Sequence, residues 1–84
     1  MPDRANLAGT RIAMLFEEKD VDNDEMDEVR KWYFGKVVEI NLHDGTFKAR
    51  IEWDVGGDAT SEELDADKWA GPRAELLVGS WMVV

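Results

Sequence analysis

The side chains of this sequence with a chemistry to offer are aromatic rings and carboxylates, chiefly Phe16, Trp32, Tyr33, Trp53 and Asp54. Rings gathered around a point, with one anion at the edge, attract a cation through their quadrupoles and the negative charge together. Such an arrangement suits an ammonium or guanidinium that methylation has stripped of hydrogen-bond donors. The bland alternative is that the rings cap a small core. No other grouping competes. His43, the only histidine, lies beside a turn and reads as exposed rather than as a general base. Cysteine is absent, and Ser61 and Ser80 have no histidine placed to activate them. Gly56-Gly57 lacks the helix and lysine of a phosphate loop. Neither an active site nor a cofactor is expected.

Asp20, Asp22 and Asp24 match the first three ligand positions of a calcium loop. The match then fails, because Glu25 stands where glycine is needed and Lys31 where the bidentate glutamate belongs. No metal is expected there. Residues 17–30 hold eight acidic residues with Lys19 and Arg30, and read as a mobile, solvated acidic loop or a short helical turn.

The element that must position the rings runs from Trp32 to Asp54. Asp44-Gly45 is the dipeptide of a two-residue type I′ turn, with β-branched Val37, Val38 and Ile40 before it. Folding about that turn pairs Leu42 with Phe47, Ile40 with Ala49 and Val38 with Ile51, all on one face. Glu39, Lys48, Arg50 and Glu52 fall on the other, so a one-residue slip would split the apolar set. The aromatic residues gather at the open end of this hairpin. A strand from Thr10 to Phe16 alternates Ile12, Met14 and Phe16 against Arg11, Ala13 and Leu15, and Leu15 suggests cover on both sides. Antiparallel pairing with the hairpin lands Phe16 beside Trp32-Tyr33. An unbroken strand would turn Trp32 and Phe34 to the side of Val38 and Ile40. A bulge at Gly35 would turn Tyr33 there instead. Both readings stay open.

Residues 59–64 form a fourth strand that brings Leu64 near Ile51 or Ala49. Asp65 then caps a helical turn that Trp69 uses to plug the barrel, and Gly71-Pro72 stops it. Within residues 74–84 a closing strand bends at Gly79-Ser80, and Leu76, Leu77, Trp81, Val83 and Val84 demand burial in the barrel or against a partner. Residues 1–8 are expected to fray, leaving 9–84 as one domain.

Small size without disulfides favours a compact barrel with large core side chains. The net charge of −9 argues against nucleic-acid backbones and for a basic partner or none. Uncharged runs are too short to span a bilayer, so an intracellular protein with no membrane partner is expected.

Taken together, Gly9-Thr10-Arg11-Ile12 to Phe16, Trp32-Tyr33-Phe34-Gly35-Lys36-Val37, Phe47 to Trp53-Asp54 and Glu62-Glu63-Leu64-Asp65 resemble a Tudor domain of the Royal superfamily of chromatin readers. The resemblance covers about residues 9–69. It implies an all-β, five-stranded, strongly bent SH3-like barrel with a cage for methyl-lysine or methyl-arginine, working in the nucleus. By position, Phe16, Tyr33 and Trp53 take the cage aromatics and Asp54 the rim acid. Val55 and Gly57 depart from the pattern, standing where an acid and an aromatic are usual. The expected function is therefore non-catalytic recognition of basic or methylated peptides, such as histone tails, by a monomer or weak homodimer. The alternative is a structural barrel with a degenerate cage that docks or dimerises through its apolar C-terminus.

Overall fold

The computed structural model describes residues 1–19, 28–71 and 76–84. Strands β1 (Arg11–Lys19), β2 (Glu28–His43), β3 (Thr46–Trp53), β4 (Thr60–Glu63) and β5 (Trp81–Val83) form one antiparallel sheet in the order β4-β3-β2-β1-β5. Helical structure among the described residues is confined to two 3-10 turns, Arg4–Asn6 and Ala66–Lys68. The fold is the small, all-β, barrel-like class that the alternation of apolar residues requires. The chain leaving β4 returns to the opposite edge, where Trp69 bridges Trp81 and the Ala70 N–H donates to the Trp81 carbonyl at 2.9 Å. Among the described residues no helix is long and apolar enough to cross a membrane.

The hairpin turns where expected, with φ of 51° at Asp44 and 77° at Gly45. Both values are positive, as a type I′ turn demands. Leu42 faces Phe47 and Ile40 faces Ala49. The third expected pair does not form. Register shifts between Val37 and Glu39, and Val37 rather than Val38 lies opposite Ile51. Val37 is fully buried while Val38 is 42% exposed. The extra residue reverses the facing of everything before it. Tyr33, Gly35 and Val37 point inward, and Trp32 and Phe34 outward. Gly35 itself is not the bulge. It faces β3 so closely that a Cβ would stand 2.7 Å from Ile51 Cγ2 and 2.8 Å from the Glu52 carbonyl oxygen.

Leu7, Ile12, Met14, Val37, Ala49, Ile51, Leu64 and Trp81 form the buried core. Leu64, expected near Ile51 or Ala49, shares the core with both and donates its N–H to the Phe47 carbonyl at 2.9 Å. Asp65 caps the second 3-10 turn, accepting from the Asp67 N–H at 2.9 Å, and Trp69 packs on Trp81 with ring centroids 4.9 Å apart. The Trp81 indole N–H donates to the Asp65 carbonyl at 2.8 Å, tying the turn to β5.

Residues 1–8, expected to fray, hold a 3-10 turn capped by Asp3, a buried Leu7, and Arg4 placed 4.4 Å from the Phe47 ring centroid while donating to the Leu64 carbonyl. One further expectation changes. The ladder between β1 and β2 runs on past Phe16, so Glu17, Glu18, Val29 and Arg30 are paired strand residues rather than loop. The calcium-loop and mobile-loop expectations for residues 20–27 lie outside the described residues. Of the apolar C-terminal residues Trp81 is fully buried, but Leu77, Val83 and Val84 stay exposed.

Candidate functional site

Period-2 alternation carries the inward face of β1 from Ile12 and Met14 to Phe16. The bulge in β2 turns Tyr33 to the same side, and β3 delivers Trp53 at its last residue. The three rings meet edge to face. Phe16 lies 5.5 Å from Tyr33 and 5.4 Å from Trp53, and Tyr33 lies 6.5 Å from Trp53, with interplanar angles of 73°, 76° and 79°. Three nearly perpendicular planes make the corner of a box, a favoured aromatic geometry.

The corner opens on a cavity of about 240 Å³, completed by Val55, Thr60 and Glu62. That volume is below the roughly 300–1,000 Å³ of sites for whole small molecules, and suits the head of one side chain. A short relay fixes its polar side. The Trp53 indole N–H donates to Thr60 Oγ1 at 2.7 Å, and the Thr60 hydroxyl donates to Glu62 Oε1 at 3.2 Å. Among the described residues no lysine or arginine forms an ion pair with Glu62, whose side chain lines the cavity. At the far rim the Tyr33 hydroxyl donates to the Glu18 carboxylate, whose other oxygen is 3.7 Å from Lys31 Nζ. The bond to Glu18 raises the Tyr33 pKa, aided by desolvation and the carboxylate charge.

Of the residues the sequence singled out, Phe16, Tyr33 and Trp53 come together. Trp32 and Asp54 do not line the cavity. Trp32 pairs with Leu15 on the outward face of β2. Asp54 is held by Arg11 through two contacts, one of 3.1 Å, and this hydrogen bonding lowers the Asp54 pKa and raises that of Arg11. The acid at the cavity is Glu62, which sequence reasoning passed over. Its signal was there: counting back by twos from buried Leu64 puts Glu62 and Thr60 on the inward face of β4. A second cavity of about 240 Å³ adjoins the first, sharing Phe16 and Glu62 and adding Met14, Glu63, Asp65 and Lys68.

No protein-family model, curated protein or solved structure matches this chain. What remains is the geometry, an aromatic corner with Glu62 on its wall, and rings beside a carboxylate are a chemistry that suits a cation.

Proposed function

We propose that the chain is a non-catalytic, Tudor-like binding module for basic peptides bearing methylated lysine or arginine, such as histone tails. The observation that carries this reading is the box corner of Phe16, Tyr33 and Trp53 around a side-chain-sized cavity with Glu62 on its wall. A methylated cation keeps its charge but offers few or no N–H donors, so ring faces and a nearby anion replace the hydrogen bonds water would give. The net charge of −9 draws basic segments from a distance and repels nucleic-acid backbones. A reader of this kind acts in the nucleus on chromatin proteins.

The test is a nuclear-magnetic-resonance titration with paired peptides, identical but for trimethylation of one lysine. The module should prefer the methylated peptide by about 0.5–2 kcal/mol, the scale of a cation–π contact. Shifts should centre on Phe16, Tyr33 and Trp53. Equal binding of both peptides, or binding of neither at low salt, would sink the reading and leave the rings as the cap of a small core.

A further inference from the structure

Trp32 and Phe34 are left over by this site. The register of β2 sets them on the outer face of the sheet, beside Leu15 and Ala13 of β1, with Met82 of β5 beyond. Ala13 and Leu15 are buried yet stand outside the core cluster, because they belong to this second face. Among the described residues the stripe keeps open positions, although Arg30 at its edge donates to the Leu76 carbonyl at 3.0 Å. Phe34 is 41% exposed, and Val84, which donates its N–H to the Arg11 carbonyl, is 62% exposed.

The charges around the stripe are matched across the strands. Arg11 is bound to Asp54, Lys36 lies opposite Glu52, and Arg30 lies opposite Glu17. In a chain of net charge −9 this face is balanced. Neither a basic nor an acidic partner finds a field here to select it. Two copies of the chain repel through their acidic sides, and can approach where each presents no net charge. An interface with two-fold symmetry must also be self-complementary, which alternating signs around an apolar centre allow. Aromatic and methionine side chains at that centre are the usual composition of such a contact.

We propose that this outer face is a dimer interface, on which a second copy packs its own Trp32, Phe34, Met82 and Val84 about a two-fold axis. The inference does not depend on the aromatic corner, which opens on the other face. A dimer would leave both corners free and let them engage two marks at once, raising avidity without any new contact.

Sedimentation equilibrium of the full chain over a wide concentration range tests it. The expected mass rises from one chain toward two, and Phe34→Glu, which sets like charges across the two-fold, weakens association at least tenfold. Circular dichroism should show that variant folded. If it fails to fold, Val84→Glu at the exposed C-terminal residue replaces it, with the same expected loss. A wild type of single-chain mass at every concentration overturns the proposal, even if some other protein then covers the face. A folded Phe34→Glu or Val84→Glu variant that dimerises like the wild type overturns it equally.

Discussion

Trp53 stands at the junction of structure and site. Its ring packs against the core and walls the cavity, and its indole N–H begins the relay that aims Glu62. Trp53→Ala would therefore lower stability together with any methyl preference, and cannot separate the two. Glu62→Gln can. The amide keeps an oxygen for the Thr60 hydroxyl but removes the charge. Affinity for a cationic peptide should fall by about 0.2–1 kcal/mol, the scale of an exposed ion pair, with an unchanged melting temperature. Calorimetry on the two proteins checks this, and equal affinities would remove Glu62 from the site. Tyr33 offers a second probe. Its bond to Glu18 raises its pKa, so the stabilisation is present below the ordinary tyrosine value near 10 and is lost as pH rises through the raised folded value. The ultraviolet signal of the phenolate should appear above the ordinary range, and Glu18→Gln should return it toward that range. The pair of Arg11 and Asp54 has the opposite sign: a lowered carboxyl pKa gives stabilisation present above the ordinary acid value and lost as pH falls through the lowered one.

Among the elements, β2 decides most. One extra residue near Val38 determines which of three consecutive aromatics enters the site, because every side chain before it changes face. This register makes a sharp prediction for two adjacent valines. Val37→Ala should cost about 1.5–3 kcal/mol, as expected for a fully buried side chain, and Val38→Ala no more than about 0.5 kcal/mol. Denaturant melts measure both, and the reverse order would restore the unbroken strand. Gly35→Ala should also destabilise, by roughly 1–3 kcal/mol, since its Cβ meets the β3 backbone and not merely a flexible side chain.

For the whole molecule, size and charge set the limits. An 84-residue domain has a margin of roughly 5–15 kcal/mol, and β5 contributes a fully buried tryptophan to it. Removing residues 80–84 would delete Trp81, its bond to Asp65 and the strand that flanks β1. That truncation should abolish the cooperative melt, and a truncated chain melting like the parent would contradict the role given to Trp81. Charge acts at longer range. Attraction of a basic peptide should weaken as the Debye length falls from about 10 Å at 0.1 M salt to about 3 Å at 1 M. Discrimination between methylated and unmodified peptides is a contact effect and should survive the same change, so titrations at both salts separate the two contributions.

By itself the sequence determined the hairpin about Asp44-Gly45, the pairs of Leu42 with Phe47 and Ile40 with Ala49, the Asp65 cap, and the gathering of Phe16, Trp53 and the run Trp32-Tyr33-Phe34 at one end. Each rests on a local rule: a dipeptide that takes positive φ, a period of two, a side chain that accepts from the backbone ahead of it. Tertiary structure decided what those rules leave open. The period of two does not say where a strand gains a residue, and the close approach of β3 to Gly35, with burial of Val37, placed the bulge and so sent Trp32 outward. Leu7 is buried in the distant core, and the Gly9 N–H bonds to the Val37 carbonyl, contacts that no local pattern signals. Asp54 reads as a free acid until Arg11, far off in the chain, takes it up, and Glu62, which alternation already sets on the inward face of β4, reaches the cavity through the pairing of β4 with β3.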